Sequence, residues 1–153
     1  TVLQAELLGL PPCDQVGFVV RDLERAMALY APLFGPFTTM DGSVQQATYR
    51  GRLADAGLRI AFGRSGNLEI ELIEWTGGES PHREFIEAGR EGMHHIRFRV
   101  EDTDHWGGKL RPRGYEAVWY KRWSADTVFA YLERPGDPTL IEFLQMPAGG
   151  PGA

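Results

Sequence analysis

Two stretches of this chain, DQVGFVVRD at residues 14–22 and HHIRFRVED at residues 94–102, can be laid one over the other. Val16 falls on Ile96, Phe18 on Phe98, Val20 on Val100 and Asp22 on Asp102, with Gln15 on His95. Each copy reads as a strand running into a helix cap, because apolar residues recur at period two and an aspartate follows. Such a repeat restricts the fold more than any composition does, since each copy has to bury its apolar face against neighbouring elements of its own kind.

Beyond the repeated stretch, both halves continue in the same order. After the first copy, DLERAMALYAPLFG places Leu23, Ala26, Met27 and Tyr30 at helical spacing, with Asp22 as cap and Gly35 as stop. Strands are expected at 45–52, 57–63 and 68–75, separated by RLADAG and by the turn RSGN. The stretch GGESPHREFIEAGREG reads as a connector with a short helix, capped by Ser80 with Pro81 at its first position. The second copy then gives a strand at 93–100 and a helix capped by Asp102 or Thr103 that runs to about 112 and ends at Gly114. Strands are expected at 116–122, 127–133 and 139–146. Each half is thus strand, helix, strand, strand, strand, an α+β pattern of two βαβββ modules. The division is an extension at 1–12, a first module at 13–76, a connector at 77–91, a second module at 92–146 and a flexible tail at 147–153.

The bulk numbers bound the function. The 153 residues suit one domain or two small, closely packed modules. A formal net charge of -5 gives no electrostatic reason to bind nucleic acid or an anionic membrane. No apolar run approaches the ~20 residues that span a bilayer. The start TVLQAELLGLPPCD lacks the basic and apolar regions of a signal peptide, and Cys13 is the single cysteine, so no intrachain disulfide can form. A cytoplasmic protein is expected.

Strand parity sorts the polar groups. In the first strand Val16, Phe18 and Val20 share one face and Gln15, Gly17 and Val19 the other. In 93–100, Ile96, Phe98 and Val100 share a face with His94, which makes His94 a helix-facing, packed group, while His95 looks the other way with Arg97 and Arg99. In LEIELIE, Glu69 and Glu71 oppose Ile70 and Leu72; in TLIEFLQ, Glu142 lies between Leu140 and Leu144 on its own face. A carboxylate placed there needs a cation, a metal or a proton as partner. Each half therefore offers an equivalent pair, Gln15 with Glu71 and His95 with Glu142, and two sheets curved toward each other would bring the four together. His82 and His105 fall in helical stretches expected to be exposed. Tyr49, Arg59, Trp119, Trp123 and Tyr131 are candidates to line the cleft, and VWYKRW at 118–123 hints at a substrate with an apolar or aromatic portion. There is no nucleophile elbow around Ser65 and no glycine loop that would cradle a phosphate.

These residues resemble the vicinal oxygen chelate superfamily, which includes glyoxalase I, methylmalonyl-CoA epimerase, extradiol dioxygenases and bleomycin-resistance proteins. The resemblance covers about residues 13–146. It is carried by DQVGFVVRDLERAMALYAPLFG, by LEIELIEWTGGESPHREFIEAGREGMHHIRFRVED, which is most similar to the epimerase-like branch, and by PTLIEFLQ. It implies a curved mixed sheet around a cleft, a divalent metal held by Gln15, Glu71, His95 and Glu142, a small-molecule substrate and a homodimer. Epimerases carry His at the first ligand position, whereas one glyoxalase I branch carries the set Gln, Glu, His, Glu. A neutral amide, an imidazole and two carboxylates suit Zn, Co, Ni, Mn or Fe(II).

The activity so implied is that of an isomerase, epimerase or lyase that moves a proton next to a carbonyl or thioester. Glu142 is the implied base. Counting back from Glu71 places Asp55 in the turn before the third strand, where the epimerases carry a second acid. A binding protein of the bleomycin-resistance kind, without catalysis, is the alternative. A dioxygenase would need two histidines and one carboxylate, and Gln15 stands where one of those histidines would be.

Overall fold

The order of elements in the computed structural model, which describes residues 5–148, agrees with the repeat. The first half holds β1 (Cys13–Val20), α1 (Leu23–Phe34), β2 (Thr38–Asp41), β3 (Val44–Tyr49), β4 (Arg52–Ser65) and β5 (Leu68–Gly78). The connector helix α2 (Pro81–Glu87) leads to β6 (Gly92–Arg99), α3 (Thr103–Leu110), a 3-10 turn at Arg111–Arg113, β7 (Glu116–Arg122), β8 (Val128–Arg134) and β9 (Asp137–Gln145). Asp22 and Asp102 do the same local job: each side chain accepts from the backbone N–H three residues on, at Arg25 and at His105. The tail expected at 147–153 lies for the most part outside the described residues. No helix among those described is long and apolar enough to cross a membrane.

Two strands depart from the expected pattern. β4 begins at Arg52, because Arg50 and Gly51 both take positive φ and make the tight turn themselves, so RLADAG is strand and not turn. β2 is a short strand whose four residues are all exposed, which leaves no alternation to read.

The strands curl into one sheet. β4 pairs with β2 and β3 and also with β5; β5 then runs parallel to β1, β1 antiparallel to β6, and β6 parallel to β9. From β9 the sheet continues through β8 and β7 and returns to β3 by two pairs, Thr48 with Tyr120 and Tyr49 with Trp119. Parity decides the layers. Ile70, Leu72 and Val20 face outward and pack with Leu23 and Ala26 of α1, and Val100, Leu132 and Phe143 form a second outer cluster with Leu110 of α3. Val19, Leu58, Ile60, Ile73, Trp119, Phe129 and Tyr131 face inward with Phe85 of α2. The polar groups of interest interrupt that inner apolar wall.

Candidate active site

Four neighbouring strands, β5, β1, β6 and β9, carry the site in two cross-strand rows. One row reads Glu69, Gln15, Arg97, Glu142; the next reads Glu71, Gly17, His95, Leu140. The rows are two residues apart on each strand, so all eight residues share the inner face. Tyr131 of β8 extends the first row beside Glu142. Parity alone puts Gln15, Glu71, His95 and Glu142 on inner faces; strand order then brings the four together.

Nε2 of His95 lies 3.4 Å from Oε1 of Glu71 and 3.4 Å from Oε1 of Glu142. The imidazole is fully buried and has space because β1 carries Gly17 opposite it: a Cβ at that position would sit 2.1 Å from the ring's Cε1. Gln15 donates from Nε2 to Oε1 of Glu69 at 2.7 Å. That bond fixes the amide so that Oε1 is the free end. Gln15 Oε1 and His95 Nε2 are two of three buried side-chain polar atoms without a hydrogen-bond partner among the described residues, the third being Nε1 of Trp119. A bare amide oxygen and a bare imidazole nitrogen, with two carboxylates on the same face, are a donor set of the kind that holds a cation, since buried polar atoms otherwise find partners. The chemistry of the donors therefore fits a divalent metal. An acidic cluster, Asp22, Glu24 and Glu74, lies at the N-terminus of α1. Its carboxylates are already used by Arg25 N–H, by Leu23 N–H and by Arg59.

Burial sets the electrostatics. Desolvation raises both Glu71 and Glu142, opposed by the positive Arg97 and reinforced by neighbouring carboxylates. The same desolvation, with Arg97 adding to it, pushes His95 down to about 3, so the ring is neutral. Arg97 is the buried counter-charge. It is 4% exposed, binds Asp14 through Nε at 3.0 Å and Nη2 at 2.9 Å, and approaches Glu69 at 3.6 Å. Its signal is present in the sequence, since it shares the face of His95, but a strand-edge arginine is the commoner meaning of that pattern.

The remaining candidates divide. Trp119, Trp123 and Tyr131 line a cavity of about 340 Å³ together with Gln15, Glu71, Arg97 and Glu142, and Leu58, Ile60, Phe129 and Leu144 complete most of its wall. Tyr49 is buried and its hydroxyl donates to Glu84, away from that cavity. Arg59 and Asp55 lie on the other face. Because β4 starts at Arg52, Asp55 is a strand residue with the opposite parity to Leu58 and Ile60. It is exposed, and its carboxylate accepts from the backbone N–H of Gln46 at 2.8 Å, where β3 bulges. The structure does not bring it to the other four.

His82 is a correction. The sequence places it on an exposed helix; it is completely buried, because α2 lies across the inner wall and turns its first residues inward. Its Nδ1 lies 2.9 Å from Oγ of Ser80 and its Nε2 3.2 Å from the hydroxyl of Tyr131. Tyr131 stacks in turn against His95, with ring centroids 4.8 Å apart. His94 packs on Phe85 and His82 of α2 at 4.9 and 5.2 Å. His105 is exposed, as expected.

Known proteins share this arrangement of strands. Residues 14–131 match the family described as Glyoxalase/Bleomycin resistance protein/Dioxygenase superfamily. Human mitochondrial methylmalonyl-CoA epimerase is 31% identical over 92 residues, 60% of this chain and 47% of the relative. The uncharacterized protein YqjC of Bacillus subtilis (strain 168) is 27% identical over 85 residues, 56% of this chain and 54% of its own. The aligned part thus spans about half the length of these curated relatives. Among solved structures, methylmalonyl-CoA epimerase from Mycobacterium tuberculosis superposes with a TM-score of 0.64 at 23% identity, covering 95% of this chain and 93% of that one. A variant of Streptomyces coelicolor methylmalonyl-CoA epimerase, in complex with 2-nitronate-propionyl-CoA, gives 0.57 at 21%, covering 92% and 100%. At these identities the structural likeness speaks for the fold.

Proposed function

The chain belongs to the Glyoxalase/Bleomycin resistance protein/Dioxygenase superfamily, and from that membership we propose that it is an isomerase or lyase that moves a proton on the carbon next to a carbonyl or thioester. The observation that carries the reading is the bare, buried Nε2 of His95 3.4 Å from the carboxylates of Glu71 and Glu142, with the bare, buried Oε1 of Gln15 on a residue that lines the same cavity as those carboxylates. Gln15, Glu71, His95 and Glu142 would hold a divalent cation. When bound, such an ion supplies Lewis-acid stabilisation of the oxygen on which charge develops as the proton leaves.

The chain's own residues supply the rest. Glu142 takes the proton from the carbon, since burial raises its basicity toward neutral pH, where general bases are most effective. Glu71, on the other side of His95, is the second carboxylate that can return a proton to the opposite face of the carbon. Arg97, held by Asp14, offsets the negative charge of the acids around it. The apolar wall excludes water and accommodates the body of the substrate, so the reading includes a small carbonyl compound or acyl thioester with an apolar or aromatic portion. Relatives named as epimerases, one of them captured with a propionyl-CoA nitronate, support the thioester arm. A homodimer belongs to the same reading and is checked by sedimentation.

Metal analysis before and after chelation tests the first half of this reading: bound divalent metal in molar proportion is expected. In the loaded protein, Glu142→Gln is expected to abolish exchange of the substrate's α-proton in deuterated water while leaving most of the metal in place. Retained exchange would move the base elsewhere. A protein that takes up no metal and exchanges no proton, yet binds aromatic ligands in the cavity, would favour the bleomycin-resistance kind of binding protein, for which the apolar wall is the supporting observation.

A further inference from the structure

We infer that the substrate of this cavity is an uncharged aromatic carbonyl compound, seated with its ring between β4 and the β8–β9 pair, and that it carries neither a carboxylate nor the phosphates of a nucleotide-bearing thioester. Of the two substrate kinds named above, a small carbonyl compound and an acyl thioester, the walls favour the first. The carbonyl rests on the function proposed above, whereas the ring and the lack of charge rest on the cavity alone.

Strand order sets the two sides of the slot. The closed ring of strands runs β3, β4, β5, β1, β6, β9, β8, β7 and back to β3, so β4 lies across the interior from β9 and its neighbour β8. Leu58, Ile60 and Phe62 of β4 therefore look toward Phe129 of β8 and Leu144 of β9, and all five line the cavity. Trp123 extends the second side toward solvent. It is 49% exposed, and its backbone N–H closes the β7–β8 turn on the carbonyl of Thr127 at 2.9 Å. Its ring lies 5.4 Å from that of Phe129. Apolar side chains opposite a pair of aromatic rings make a place for a flat apolar group. A volume of about 340 Å³ is near the small end of ligand sites, which suits one ring with a short carbonyl arm.

Charge is distributed against an anion. Arg97 is the one Arg or Lys among the described residues that line the cavity, and it is already held by Asp14 and close to Glu69. A divalent ion at the inner end is matched by the two carboxylates that would hold it. The exposed edge is acidic. MDGSV at 40–44 lines the cavity throughout, and WSADT at 123–127 supplies Trp123 and Thr127; together they carry Asp41 and Asp126 and neither lysine nor arginine. The cations that flank this edge are in use. Lys121 donates to the Gln45 carbonyl and lies 5.6 Å from the Trp123 ring, and Arg122 pairs with Asp104 at 2.8 Å. Arg59 pairs with Glu24 and Glu74, and Arg99 donates to the Pro147 carbonyl at 3.0 Å. A ligand carboxylate inside would lose its hydration without gaining a counter-charge, and phosphates at the edge would meet like charge.

Calorimetry at low salt, with and without Zn²⁺, tests this with three probes. 2-Hydroxyacetophenone carries a ring on a neutral hydroxyketone, mandelate the same ring with a carboxylate, and propionyl-CoA a small acyl thioester with phosphates. 2-Hydroxyacetophenone is expected to bind roughly tenfold more tightly than either of the others. Equal or tighter binding of mandelate or propionyl-CoA overturns the inference, as does no detectable binding of 2-hydroxyacetophenone. Trp123→Ala, at a half-exposed position, is expected to weaken 2-hydroxyacetophenone roughly 5–10-fold while leaving the metal content as it was. Asp41→Lys is expected to narrow the gap between propionyl-CoA and 2-hydroxyacetophenone. Affinities unchanged in both variants would overturn the inference as well, since the ligand would then lie elsewhere. A protein that takes up no metal and moves no α-proton defeats the function proposed above, and the ranking of the probes still decides on the cavity. A protein that exchanges the α-proton of propionyl-CoA and not that of 2-hydroxyacetophenone keeps that function and defeats this inference.

Discussion

The two halves of the molecule differ most where they are nearest to each other. Residues 16, 18, 20 and 22 repeat as 96, 98, 100 and 102, and on the outer face the copies do the same work: apolar residues meet a helix and an aspartate caps it. On the inner face the equivalent positions have diverged in pairs. Gly17 stands where the second half has Arg97, and Glu69 where it has Leu140. Asp14 stands where it has His94. Each difference is complementary: Arg97 reaches back to Asp14 and Glu69 across the junction of β1 and β6, and the absent side chain of Gly17 makes room for His95. The ligand-type pairs, Gln15 with His95 and Glu71 with Glu142, keep a potential metal donor in both copies. Duplication supplies the frame, and the inner differences make the two copies dependent on one another.

The largest expected effect comes from removing the cation that joins them. Arg97→Met leaves Glu69 without its buried counter-charge, with the exposed Arg64 at 3.9 Å as its remaining cation, and Asp14 without its bidentate partner, which costs about 3–5 kcal/mol of folding stability. Adding Glu69→Leu, the residue type of the second half, is expected to return part of that loss, although Gln15 then loses the acceptor for its amide. Urea denaturation of the single variants and the double variant measures the coupling. Strictly additive losses would mean that the two residues do not act as a pair.

Next in size is the opposite exchange, a side chain added to β1. Gly17→Ala places a Cβ 2.1–2.7 Å from Cε1, Nε2 and Nδ1 of His95. The ring is held by His94 and by Tyr131 and has little freedom to retreat. A loss of about 1–3 kcal/mol is expected from overpacking, together with loss of the metal from the site. Thermal melting and metal content are the two readouts, and an alanine variant that keeps both would show that the close fit of glycine and histidine is not needed.

How much of this is legible in the sequence depends on range. The caps at Asp22 and Asp102 are local, and the residue type with its spacing is enough to read them. The faces of Gln15, Glu71, His95 and Glu142 come from period-two parity within single strands, but their meeting depends on the order β5, β1, β6, β9, which no single strand contains. Asp55 shows how parity misleads when a strand start is misplaced: RLADAG looks like a turn, the turn is Arg50–Gly51, and Asp55 becomes an outward strand residue. His82 shows a different limit. Helical spacing near a proline reads as a surface connector, and nothing local reveals that α2 lies against Tyr131, Trp119 and His94. β2 carries no apolar alternation, so its pairing with β4 is decided by its neighbour alone.

A third expectation uses charge, where the two halves contribute one raised carboxyl each. Glu71 and Glu142 are pushed up to about 8 by burial, so in the metal-free protein the folded state holds their protons more tightly than the unfolded chain does. Stability from these groups is therefore full at low pH and is lost as pH rises from the ordinary carboxylate range through about 8. His95, pushed down to about 3, works the other way and costs stability as pH falls below the ordinary histidine range. A bound cation requires the carboxylates ionised and the imidazole neutral. The stabilisation on adding metal, followed by the rise in melting temperature, is thus expected to be small near pH 5 and to grow up to about pH 8, reaching about 2.7 kcal/mol at a free metal concentration of about 100 times Kd. A gain independent of pH across that range would place the metal on other ligands.

The smallest expected effect is the most direct comparison of the halves, Gln15→His, which gives β1 the residue that β6 carries at the equivalent position. The new ring still has a nitrogen to donate to Glu69 and a second one to stand in for the bare Oε1, so the hydrogen bond of Gln15 can be kept. Stability is expected to change by no more than about 1 kcal/mol, with the metal retained. What should move is preference: imidazole in place of an amide oxygen favours ions that bind nitrogen, so Zn²⁺ and Ni²⁺ are expected to gain on Mn²⁺ in competition. An unchanged ratio would mean that position 15 orients Glu69 without touching the ion, and the first half would then contribute Glu71 alone to a site built mainly on the second.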